Sequence, residues 1–260
     1  MKNNKVIKEI FFPADLEPSH ESMSGYADLF SHLNSKTFSA FFMRDFVEPG
    51  ITQSALPIDR TWVVKKLEDE ARLLKLNIDF FTPGSYTVKA LIHRSRFADL
   101  VLINPLPLDV IDQLPESFIT NFIEPLACPV LLSSKVPLSY DEVLIVFDGD
   151  SSSLTALKTF LHLFGGVASD KTVTVLMVNA SDKPEVFLEH YFIRFVKNSF
   201  SNVGIVPMNG INMNHELVKL AAYAKNPLLI MGKSAITLLR SNQTTKALFS
   251  KEASIFYSNG

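Results

Sequence analysis

Cysteine is almost absent: Cys128 is the only one in 260 residues, so no disulfide can form within the chain, which fits a reducing compartment. Charge of one sign is missing too. A formal net charge of −2 gives no electrostatic reason to expect nucleic acid or an anionic membrane as partner. Long apolar runs are also lacking. Near the basic N-terminus, Lys8 and Glu9 interrupt the stretch before Ile10-Phe11-Phe12, which is too short for a signal-peptide core or a membrane span. Elsewhere the apolar runs are strand-sized, so a cytoplasmic protein is expected. The catalytic signatures are missing as well: there is no G-x-S-x-G elbow, P-loop lysine motif or G-x-G-x-x-G fingerprint. The six histidines (His20, His32, His93, His162, His190 and His215) are scattered without zinc-site spacing. Neither a catalytic residue nor a metal is expected, and the chain does not read as an enzyme.

What is present describes a globular protein of two ordinary domains, with 47% hydrophobic and 20% charged residues. Four segments recur in the same order. Glu9-Ile10-Phe11-Phe12 lines up with Glu142-Val143-Leu144-Ile145 at an offset of 133, with Asp15 answering to Asp148. Thr37-Phe38-Ser39-Ala40 matches Thr172-Val173-Thr174-Val175 at 135. Asp99-Leu100-Val101-Leu102 matches Pro227-Leu228-Leu229-Ile230 at 128, and Val130-Leu131-Leu132-Ser133 matches Ile255-Phe256-Tyr257-Ser258 at 125. A drifting offset is what loop insertions and deletions produce.

Each matched segment is continuously apolar, as in parallel strands covered on both faces. Between them lie helical patterns. Leu154, Leu157, Phe160, Leu161 and Phe164 keep helical spacing after Ser151 to Ser153, which are available as N-caps, and Gly165-Gly166 reads as the C-cap. Val63, Val64, Leu67, Ala71 and Leu74 form a stripe in the first half, where Glu68 can support Arg72. Val186, Phe187, Phe192, Ile193 and Val196 form its counterpart. Shorter helices are expected over 88–97 and 215–224. Strands alternating with helices predict an α/β chain with two tandem, doubly wound, five-stranded parallel sheets, one over 1–136 and one over 140–260. Cys128, at the start of an apolar run, is expected to be a small buried side chain.

These residues resemble a known family. Asp141-Glu142-Val143-Leu144-Ile145-Val146-Phe147-Asp148-Gly149-Asp150, with the serines and amphipathic helix that follow, looks like the opening strand and helix of a universal stress protein domain. Ala98-Asp99-Leu100-Val101-Leu102-Ile103 resembles its fourth strand and Cys128-Pro129-Val130-Leu131-Leu132 its last. The resemblance implies a tandem member with the adenine nucleotide alpha hydrolase-like fold, its two domains packed as an internal pseudo-dimer; a homodimer is also open. Family members that bind ATP share a loop after the fourth strand, G-x2-G-x9-G-[ST]. Here the second copy reads Gly232-Lys233-Ser234-Ala235, then Ile236 to Arg240, then Ser241-Asn242, and has lost two of those glycines. The first copy has Asn104-Pro105-Leu106 and, at the final pair, Glu116-Ser117; proline removes a donor and a carboxylate opposes a phosphate.

By carry-over the candidate nucleotide-binding residues are Phe147, Asp148, Val178, Gly232, Lys233, Ser241, Asn242 and Thr244. If a cofactor binds, it would be ATP or AMP in the second domain. On the other reading, Asp148 caps the following helix and Ser241, Asn242 and Thr244 cap the last one. The resemblance thus implies a non-catalytic regulatory or interaction protein of the stress response with decayed ATP-binding loops. The alternative is an adenine-nucleotide switch or slow ATPase using the second domain only.

Overall fold

The structure is a computed structural model that describes residues 9–14, 37–42, 59–81, 87–103, 116–133, 140–168, 170–179 and 186–259. The chain divides into two compact units, Met1–Leu138 and Ser139–Gly260. The first contains β1 (Ile10–Pro13), β2 (Thr37–Phe41), α1 (Arg60–Leu74), β3 (Asn77–Phe80), α2 (Val88–Ser95), β4 (Leu100–Ile103), α3 (Glu116–Phe118, continuing into a π turn over Ile119–Ile123) and β5 (Val130–Ser133). The second contains β6 (Glu142–Phe147), α4 (Ser151–Ala168), β7 (Thr172–Asn179), α5 (Val186–Ser199), β8 (Asn202–Asn209), α6 (Met213–Tyr223), β9 (Pro227–Met231), α7 (Ser234–Arg240), α8 (Asn242–Phe249) and β10 (Ser254–Tyr257).

The fold is α/β. In the first unit the strands lie in the order β3-β2-β1-β4-β5, and in the second β8-β7-β6-β9-β10. Each of these neighbouring pairs is parallel. The pairing registers carry the sequence repeat. Ile10 lies opposite Phe38 and Leu100, while Val143 lies opposite Val173 and Leu228, the residues that offsets of 135 and 128 select. Likewise Val101 faces Val130 and Leu229 faces Ile255. Asp15 lies outside the described residues, so its match to Asp148 has no structural counterpart on view.

Hydrophobic continuity explains which strands are central. All residues of β1, β4 and β9 are buried, consistent with cover on both faces. The strands that begin these two orders differ: β3 alternates between exposed and half-buried positions, and β8 is mostly exposed and carries Pro207, which an edge strand tolerates. In α1, the cap is Asp59, whose carboxylate accepts the N–H groups of Thr61 and Trp62, and the stripe buries Val63, Leu67 and Ala71 as expected, together with Glu70. Arg72 pairs with Asp69 at 3.2 Å rather than with Glu68; both groups are exposed, so the exchange matters little to stability.

Two expectations about α4 need correction. The helix does not stop at Gly165-Gly166 but runs on to Ala168. A glycine costs a helix interior only about 1 kcal/mol against alanine, which packing along an 18-residue helix can offset. Its N-cap is not one of the serines: Asp150 stands just before the helix, and its carboxylate accepts the Ser152 N–H at 2.7 Å.

Burial pushes the Cys128 thiol up to about 12. At pH 8 roughly one molecule in ten thousand would then carry a thiolate, so the folded chain should resist iodoacetamide and label only on unfolding. Rapid native labelling at pH 8 would contradict this burial. The sign for stability follows from the same shift. Unfolding releases a thiol that ionises near its ordinary value of 9.0, so the advantage of the buried neutral form is present below pH 9 and lost as pH rises towards 12.

Candidate functional site

In a doubly wound sheet, ligands enter beyond the carboxyl ends of the strands where the strand order reverses. In the second unit that point lies between β6 and β9. Asp148 follows the first of these and Gly232 the second, so Phe147, Asp148, Gly232 and Lys233 end adjacent, parallel strands at the same end.

The chain leaves β6 through Gly149, whose φ of 80° is a left-handed value suited to glycine. This turn sends Asp148 back onto its own helix. Its Oδ1 accepts the Asp150 N–H at 3.1 Å and the Ser153 hydroxyl at 2.6 Å. The Ser152 hydroxyl and, after it, the Ser152 backbone N–H hold the Asp150 carboxyl below its ordinary value. Stability drawn from that shift is present above the ordinary carboxyl value and lost as pH falls below it to the lowered one.

Ser152 also meets the loop after β9, accepting the Lys233 N–H at 2.9 Å on its Oγ. Contact here is very close. A Cβ on Gly232 would lie 2.5 Å from the Ser153 nitrogen and 2.6 Å from the Ser152 carbonyl carbon, and would overlap Ser152 Oγ. The close backbone approach that glycine permits is therefore used by the first turn of α4, and Lys233 donates its N–H to a serine.

Phe147, Val178, Ser241 and Thr244 are also engaged within the unit. Phe147 is buried and stacked on Phe192, ring centroids 4.0 Å apart and planes at 21°, so one face of that ring is covered by the protein itself. Val178 is buried in β7. Ser241 is the N-cap of α8: its Oγ accepts from the Thr244 N–H and lies 2.8 Å from the Thr244 hydroxyl. Asn242 is exposed at the first position of that helix, one whole helix beyond Gly232, and the Lys233 side chain is exposed. In the first unit, Glu116 and Ser117 begin α3 and are exposed, whereas Asn104, Pro105 and Leu106 lie outside the described residues. Among the described residues no three His, Cys, Asp or Glu side chains gather as a metal site requires.

Sequence reasoning did not select Ser152, Ser153 or Phe192 for this site. The serine run after β6 was a visible signal, read only as capping. Phe192 gave no signal beyond its place on an apolar stripe.

No family profile matches the chain, and no curated protein does. Solved structures do. A universal stress protein from Archaeoglobus fulgidus superposes with a TM-score of 0.62 over 96% of both chains at 12% identity. The fold is that of the universal stress proteins. A functionally unknown protein from Pseudomonas aeruginosa superposes at 0.56 with 12% identity, covering 98% of this chain and 93% of its own. One from the same species, provisionally named a universal stress protein, gives 0.54 and 14% identity over 98% and 94%. No helix among the described residues is long and apolar enough to cross a membrane.

Proposed function

We propose that the chain is a tandem, universal-stress-protein-like regulatory or interaction protein without catalysis, whose second-unit phosphate loop is occupied by the protein's own residues. The reading rests above all on the Gly232–Ser152 contact. Where a nucleotide-binding loop would offer open amides, Gly232 is pressed against the α4 backbone and the Lys233 N–H is bonded to Ser152. Phe147, the carried-over adenine position, is stacked on Phe192. The matched pairing registers within the two units support the tandem origin.

Titration calorimetry with ATP and magnesium tests the reading. Binding should be absent or weaker than about 10 μM, equivalent to roughly −7 kcal/mol. Tighter binding at one site per chain would instead favour the nucleotide switch in the second unit. The exposed Lys233 would then be its phosphate contact, and Lys233→Ala should abolish it.

A further inference from the structure

The helix α2 buries Leu91 and Ser95 and turns its other side outward. A shallow depression of about 520 Å³ lies on that side, lined by Thr87, Lys89, Ala90, His93, Arg94 and Phe97. Lys89 and His93 stand one turn apart and are exposed, and Phe97, just beyond the helix, is 78% exposed. Among the described residues the lining holds Lys89, Arg94 and a histidine but no carboxylate, and Arg94 is ion-paired with Glu9 behind it. Arg94 is fixed in place: it donates to Glu9 at 2.9 Å and its guanidinium lies 4.5 Å from the Phe81 ring centroid. Lys89 has no ion pair among the described residues. A single exposed phenylalanine is ordinary; one at the end of a shallow depression lined by Lys89, His93 and Arg94 is a recognition feature, since Arg and aromatic side chains are enriched in interfaces.

We propose that this face of α2 is a docking site for an acidic protein segment that carries one apolar anchor side chain. Its carboxylates would meet Lys89, His93 and the remaining donors of Arg94, and its apolar side chain would enter the hollow against Phe97. Charge complementarity selects the acidic partner. The single exposed aromatic selects a protein segment over an anionic membrane, which binds faces presenting several apolar side chains. Nucleic acid would require a longer track of cations than one eight-residue helix supplies. The proposal deepens the interaction reading but rests on the first unit alone, so nucleotide binding by the second would leave it standing.

The test is a display selection of random short peptides on the full chain. The best peptide is then measured by fluorescence anisotropy against wild type, Lys89→Glu, Phe97→Ser and a control in the second unit, Tyr223→Ser. Selected peptides should be rich in Asp and Glu around one apolar residue. Lys89→Glu and Phe97→Ser should each weaken binding by about tenfold or more, with unchanged circular dichroism, while Tyr223→Ser binds like wild type. Selection of neutral or basic peptides, or equal binding by all four proteins, would overturn the proposal. So would binding to phosphatidylserine vesicles, sensitive to the same two substitutions, in place of peptide binding.

Discussion

Gly232→Ala is expected to destabilise the second unit by on the order of 3 kcal/mol and to lower its melting temperature by roughly 10 °C. The added methyl group would meet the Ser153 nitrogen at 2.5 Å and the Ser152 carbonyl carbon at 2.6 Å. A flexible side chain could swing away from such a contact. Here the neighbour is the first turn of an 18-residue helix, so β9 or α4 must shift as a whole. Circular dichroism melts of the full chain read this directly. A variant melting within a degree of wild type would mean that Gly232 faces open space, as a phosphate loop would require. Because the glycine is structural, loss of nucleotide binding in Gly232→Val would not identify a binding loop; Lys233→Ala is the cleaner probe, since that side chain is exposed.

Phe160→Ala should cost about 3–5 kcal/mol. Phe160 is buried in α4 and touches three other aromatic rings, Tyr140 at 6.2 Å, Phe164 at 5.3 Å and Phe256 at 5.4 Å between centroids. Truncation removes all three contacts and leaves a cavity between the helix and β10 that the surrounding rings cannot fill by rotation. Phe160→Leu retains most of the volume and should cost clearly less. Urea unfolding with both variants separates the outcomes, and equal small losses would show that the cluster is not a packing centre.

The central strands were legible because burial on both faces leaves a continuous apolar run. The exposed strands β3 and β8 were not. Asn77-Ile78-Asp79-Phe80 in β3 and the stretch Gly204-Ile205-Val206-Pro207 in β8 carry polar or turn residues, since one side faces water, and neither announces a strand. Helix limits were blurred for a related reason: the Gly165-Gly166 pair looks like a stop, but tertiary packing carries α4 past it. At the candidate site, the sequence marks Gly232, Asp148 and the serine run as unusual. It cannot show that Gly232 and Ser152, 80 positions apart, are pressed together, because that contact exists only once β9 lies beside β6. The stacking of Phe147 on Phe192 is hidden in the same way: each residue alone is one more phenylalanine among 21.

The most direct measurement is nucleotide content. Full-length protein purified without added nucleotide is heat-denatured, and the supernatant is analysed by chromatography and mass spectrometry for adenine nucleotides. A phosphate loop filled by Ser152 and α4 predicts that adenine nucleotide is released only in traces far below one per chain. Release of one ATP or AMP per chain would contradict it and would make the second unit a nucleotide-binding domain.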